Sequence, residues 1–262
     1  MIAGGMATDA PLTQWDQGTS MKGAIDREHW SQFAREWIEW ARTPNHDAFW
    51  AYRDQLLSFI GQGEGEAVDI GCGEGRVSRL LKECGYRVAA VDPVEDFVAA
   101  AAEADSANAY AIAAAAALPF EDGRFDVAVL YNVLMDVEDV PAALKEARRV
   151  LRPSGALFIA IVHPVTDCGR FIDTGPDAPY VRLETYFGRR RFDGIEERNG
   201  LRMHFAGWSQ PLEDYVAAME NAGLAITSLR EPVPDAGSGG QHLELWRSIP
   251  LFLWLKARPL AI

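Results

Sequence analysis

The sequence predicts an α/β fold: a doubly wound, mostly parallel sheet with helices on both faces. Three observations predict it. From Ala67 onward, short apolar runs alternate with segments of helical period. The apolar runs are nearly continuous, as strands covered on both faces require. The first run leads into Gly71-Cys72-Gly73-Glu74-Gly75, and the second ends in Val91-Asp92. A strand, a glycine-rich turn and a helix bring backbone close to a ligand, and an acid ending the next strand can accept from both ribose hydroxyls.

Each element follows in order. Residues 1–25 are mostly small and polar and read as a disordered or irregular N-terminus. Residues 26–62 form a helical cap, packed on the sheet or also roofing a ligand cavity with its aromatic residues. Its first helix runs from Asp26 to Ala41, with Trp30, Phe33, Trp37 and Trp40 in one broad arc. Thr43-Pro44-Asn45 breaks it, and a second helix from His46 to Ile60 carries the stripe Phe49, Tyr52, Leu56, Ile60. Residues 63–262 form the main domain. Ala67 to Gly71 is the first strand; the following helix carries Val77, Leu80, Leu81 and Cys84 inward and stops at Gly85. Arg87 to Val91, Tyr110 to Ala113, Phe125 to Tyr131 and Ala156 to Val162 are the next strands. Helices from Val94 to Glu103 and from the cap Asp139 to Leu151 separate them. About residues 164–210 depart from the alternation and read as an ordered lid, with a hairpin pairing Tyr180 to Phe192 with Gly200 to Ala206.

The detail of the glycine pattern chooses between cofactors. A dinucleotide fingerprint counted from Gly71 needs a small residue where Arg76 stands. The spacing G-x-G-x-G after the in-strand acid Asp69 closely resembles the first motif of class I S-adenosylmethionine-dependent methyltransferases. Ala117-Leu118-Pro119-Phe120 and Leu151-Arg152-Pro153-Ser154-Gly155 resemble later motifs of its small-molecule branch, which includes ubiquinone and menaquinone biosynthesis methyltransferases. The resemblance is strong over Val68 to Val162 and returns in the helix Leu212 to Ala222 and the strands Ala225 to Leu229 and Pro250 to Leu255. It implies a seven-stranded sheet, completed by those last two strands as antiparallel neighbours. It also implies S-adenosylmethionine as cofactor and S-adenosylhomocysteine as product.

The resemblance implies a set of site residues too. Asp69 helps hold the cofactor's amino-acid end, Gly71, Cys72 and Gly73 form the turn, and Asp92 with Pro93 lies at the ribose. Ala114 stands where the family commonly has an acid for the adenine amino group, so adenine falls to packing and to backbone around Ala115. Tyr131, with Asn132, follows the fourth strand, where backbone contacts reach the amino-acid end. Arg42 is a candidate partner for the cofactor's carboxylate, or a solvated helix-end arginine.

Methyl transfer from a sulfonium needs alignment and exclusion of water, and a base only if the acceptor must lose a proton. His163, after the fifth strand, His204, in the lid, and Tyr131 are the candidate catalytic groups; a structural, hydrogen-bonded role is the alternative for each histidine. Arg189-Arg190-Arg191 reads as an exposed charged turn, or as a contact for an anionic substrate.

Composition bounds the partners. A net charge of -13 disfavours phosphate backbones, so no nucleic acid is expected. No run approaches the length of a membrane span, and no signal peptide is indicated. The three cysteines lack metal-ligand spacing and suit a reducing cytoplasm, and no metal site is expected. The expected partner is a small-molecule acceptor; the oligomeric state stays open. Two rivals remain: a non-catalytic cofactor-binding partner protein, and an NAD(P)-dependent oxidoreductase, which Arg76 and the lack of a Tyr-x-x-x-Lys pair disfavour.

Overall fold

The computed structural model describes residues 25–175, 177–235 and 241–260. The expectation of a disordered start thus lies outside the described residues, except that Ile25 already begins a helix. Seven strands form the main sheet: β1 (Glu66–Ile70), β2 (Arg87–Asp92), β3 (Ala109–Ile112), β4 (Phe125–Tyr131), β5 (Leu151–Val162), and the late strands Leu224–Arg230 and Phe252–Pro259. The order across the sheet is late strand 224–230, late strand 252–259, β5, β4, β1, β2, β3. The five early strands pair in parallel, and the two late ones join antiparallel beside β5. The chain starts at β1, winds outward to β3, then returns to β4 on β1's other side. That reversal opens a crevice at the strands' carboxyl ends.

Period-two alternation splits the core between the two faces. Ala128 and Leu130 of β4 pack with Leu157 and Ile159 of β5 under α6 (Val140–Val150) and α7 (Leu212–Asn221). Val127 and Val129 point the other way, toward α3 (Phe49–Ile60) and α4 (Arg76–Glu83). Asp139 caps α6, its carboxylate accepting the Ala142 amide at 2.9 Å. The helix α5 (Glu95–Glu103) follows β2 and presents Phe97 to the N-terminal segment.

That segment departs from the expected cap at its first helix. The single first helix is two, α1 (Ile25–Gln32) and α2 (Ala34–Arg42). Phe33 leaves helical geometry between them (φ -107°, ψ 17°), and its ring lies 4.8 Å from His29 and 5.0 Å from His204. The second cap helix, α3, packs on the sheet: Tyr52, Leu56 and Ile60 are buried against it, where an apolar stripe finds most surface to cover. α1 and α2 lie over the crevice, and α3 reaches it only with Phe49 at its start.

The lid also differs from the expected pairing. Tyr180–Arg182 (β7) pairs with Gly169–Phe171 (β6), and Arg190–Arg198 (β8) pairs with Leu201–Ser209 (β9). The turn sets this register. Asn199 and Gly200 both have positive φ, 51° and 79°, so they form a two-residue connection that places Arg198 opposite Leu201. β5 starts earlier than expected: Pro153-Ser154-Gly155 lies within it, at a register irregularity against β4.

Candidate functional site

A cavity of 2180 Å³ lies over the crevice, between the strand ends, α1–α2 and the lid. That exceeds the roughly 300–1,000 Å³ of a single small-molecule pocket, so a cofactor and an acceptor fit side by side.

Its floor is the glycine turn. Gly71 has φ 73°, and a side chain there would strike Val133. The Gly71 and Cys72 amides donate to the Val91 carbonyl at 2.7 and 2.9 Å, tying the turn to β2. Gly73 has φ 53° and faces the cavity; a Cβ there would meet the Trp37 indole nitrogen at 3.4 Å. Its amide donates to Asp92 at 3.0 Å, and the other Asp92 oxygen accepts the Val94 amide at 2.9 Å. Asp92 is nevertheless buried on the cavity wall, and burial raises its carboxyl to about 6 against those two stabilising amides.

Beside Asp92, Pro93, Ile112, Ala114 and Ala115 line an apolar slot open at the sheet edge. No acid stands there, so an adenine ring would rest on packing and backbone. On the other side of β1, Tyr131 and Asn132 line the wall at the end of β4. Asn132 has φ 54°, and both its Oδ1 and the Tyr131 hydroxyl are buried without a partner. Cys72 also lines the cavity; burial pushes its thiol up, so it acts as a small apolar filler.

Three expected site residues are placed elsewhere. Asp69 is 1% exposed and off the cavity wall. It accepts from the Ser78 hydroxyl at 2.6 Å, tying β1 to α4 behind the turn, and burial raises it to about 7. Arg42 also misses the cavity: it donates to Glu74 at 3.1 Å and to the Ala100 carbonyl at 2.7 Å. Glu74 is buried in the turn and is held from its other side by Arg79 at 2.8 and 2.9 Å. Arg42 therefore fastens α2 to the turn. His163 spends both ring nitrogens: Nε2 donates to Glu231 at 3.1 Å and Nδ1 accepts the Val165 amide at 3.2 Å. It is 8% exposed, off the cavity wall, and burial lowers its pKa.

His204 does reach the cavity. Its Nε2 donates to Asp193 at 2.6 Å, and its carbonyl accepts from His29 at 2.9 Å. Nδ1 makes no hydrogen bond among the described residues. Of the three lid arginines, Arg189 binds the carbonyls of Val137 and Glu138 over the Trp208 ring, while Arg190 and Arg191 line the cavity.

Several cavity residues escape sequence reasoning. Arg76, opening α4, is ion-paired with Asp47 and packed among Trp37, Phe49 and Tyr131, with centroids 5.0, 4.6 and 5.9 Å away. Asp167 lies in the short helical turn after β5, bonded to Ser209, and burial raises it to about 7. Neither follows from a local motif, although Arg76 stands next to the turn.

The residues present fit a nucleoside carrying an amino-acid tail. The turn offers approachable backbone, Asp92 offers an acceptor for hydroxyls, and Tyr131 and Asn132 offer buried polar atoms that nothing else satisfies. No group of three or more His, Cys, Asp or Glu suited to a metal occurs among the described residues.

Comparison with known proteins agrees. A family model described as a methyltransferase domain matches residues 68–159. A malonyl-[acyl-carrier protein] O-methyltransferase from Pseudescherichia vulneris is 36% identical over 40% of this chain and 42% of its own length. A demethylmenaquinone methyltransferase from Beutenbergia cavernae is 34% identical over 44% of this chain and 47% of its own. The chain thus matches less than half the length of either relative. The crystal structure of an S-adenosylmethionine-dependent methyltransferase from Mesorhizobium loti superposes with a TM-score of 0.64 at 23% identity, covering 81% of this chain and 98% of that one. Residues 68–159 thus match a methyltransferase domain, and the chain shares the Rossmann-like fold of a solved S-adenosylmethionine-dependent methyltransferase.

Proposed function

We propose that the chain transfers a methyl group from S-adenosylmethionine to a small-molecule acceptor. The observation that carries this reading is the pairing of the Gly71–Gly73 turn with Asp92 on the floor of a cavity large enough for both reactants. When bound, the cofactor supplies an electrophilic methyl group on a sulfonium. The chain's own work is alignment and exclusion of water. Asp92 holds the ribose, Ala114 and Ala115 flank the adenine, and Trp30, Phe33 and Trp37 cover the cavity from α1–α2.

The acceptor half lies toward the lid, with Phe171, Phe205 and Trp246 as apolar walls. There His204, oriented by Asp193, presents Nδ1 as the group that takes a proton from a hydroxyl or ammonium acceptor. The acidic chain, with no helix among the described residues long and apolar enough to cross a membrane, suits a free small molecule in the cytoplasm over a nucleic acid or a bilayer. Methyl transfer from labelled S-adenosylmethionine to a panel of phenols, amines and carboxylates tests the reading. Saturable, His204-dependent labelling of one class supports it; cofactor binding without transfer to any class would favour the non-catalytic alternative.

A further inference from the structure

The pair Asp47–Arg76 is mostly buried and lies on the cavity wall. It joins the turn before α3 to the first residue of α4, and both side chains are 11% exposed. Replacing such a pair by apolar groups is often neutral or stabilising, so two charges kept here invite another explanation. Arg76 spends only Nη1, on Asp47 Oδ2. Its Nε and Nη2 have no partner among the described residues and are not sealed off, so they open on the cavity that Arg76 lines. Asp47 lines the same wall, and its other oxygen accepts the Phe49 amide at 3.2 Å.

Position adds to this. Strands stand about 4.8 Å apart, so the ends of β2 and β4 lie roughly 10 Å from each other across β1. With ribose at Asp92 on β2 and adenine beyond it at β3, the far end of the cofactor falls over β1 and β4. Arg76 stands there, its guanidinium 5.9 Å from the Tyr131 ring at the end of β4. A homocysteine-type tail is a zwitterion. Resting on the cofactor assignment above, we propose that Arg76 and Asp47 clamp that zwitterion, Arg76 taking the α-carboxylate and Asp47 the α-ammonium. The two residues satisfy each other, so neither charge is left bare, and the incoming tail exchanges one ion pair for two. The aromatic rings of Trp37, Phe49 and Tyr131 keep water from competing.

The test compares two probes by calorimetric titration. S-adenosylhomocysteine carries the zwitterion; 5′-methylthioadenosine keeps adenine, ribose and sulfur and lacks it. The wild type binds the first more tightly. In Arg76→Met, and in the neutral pair Arg76→Met with Asp47→Asn, S-adenosylhomocysteine weakens by about 10- to 100-fold, as lost charged hydrogen bonds imply. Methylthioadenosine stays within about twofold. The double variant leaves no unpaired buried charge, so it decides the matter if the single one fails to fold. Equal wild-type affinity for the two probes, unchanged S-adenosylhomocysteine affinity in the variants, or equal weakening of both probes would overturn the clamp. A wild type that binds neither probe overturns the cofactor assignment together with it.

Discussion

The Asp92 carboxylate accepts the Gly73 amide at 3.0 Å across the floor of the cavity. This bond ties the glycine turn after β1 to the end of β2, and Asp92 lines the cavity, where the proposed function places the ribose. Asp92→Ala removes both functions. Cofactor affinity should fall by roughly 1–3 kcal/mol, measured by titration with S-adenosylhomocysteine. Unchanged affinity in the folded variant contradicts the ribose assignment.

Protonation of the same residue should be visible. Burial raises Asp92 from 3.8 to about 6. The ionised form is the better acceptor for two hydroxyls, so affinity should decline as pH falls through about 6. A flat affinity profile between pH 5 and pH 8, in a range set by ordinary carboxylate and histidine titration, speaks against it.

Asp69 makes the opposite kind of pH signal, in stability. Its folded pKa of about 7 lies above its ordinary 3.8, so the folded state binds the proton more tightly than the unfolded one. The contribution of this group to stability therefore falls as pH rises from 3.8 to about 7. Asp69→Asn removes the titration. Its stability relative to the wild type should rise with pH across that window, as followed by urea unfolding at several pH values.

Gly71→Ala should be more damaging than its size suggests. The residue has φ 73°, and the added methyl meets Val133. The backbone strain alone costs about 1–3 kcal/mol, and relief by shifting the turn would pull Gly73 away from Asp92. A lower melting temperature together with lost S-adenosylhomocysteine binding is the expected result.

The two histidines separate base from scaffold. His204→Gln should lower kcat by about 10²–10³-fold for a protic acceptor while leaving cofactor affinity intact. His163→Gln should leave kcat nearly unchanged, because His163 faces Glu231 and Val165 outside the cavity. The reverse pattern would return the base role to His163.

Local features were legible in the sequence, and tertiary ones were not. β4 matches its expected span residue for residue, because an apolar run bounded by turn residues leaves little choice. The stripe Phe49, Tyr52, Leu56, Ile60 is readable as helical, and packing on the sheet is one of the two readings open to it; α3 takes that one. The expected hairpin differs from the observed one because Asn199-Gly200, a strong two-residue turn signal, sets the register of β8 against β9. On the cavity wall, Gly71, Gly73 and Asp92 follow from spacing along neighbouring strands, and Ala115 from the family resemblance. Of the two readings open to His163, its hydrogen bonds fit the structural one, since a strand-end position says nothing of side-chain direction. Asp47 and Arg76 meet only through the packing of α3 and α4, which no local pattern encodes.

The central claim is the cofactor, and titration of the wild-type protein with S-adenosylmethionine and, separately, NADPH tests it most directly. The account predicts saturable binding of S-adenosylmethionine and none of NADPH. Binding of NADPH alone would contradict it and restore the oxidoreductase reading.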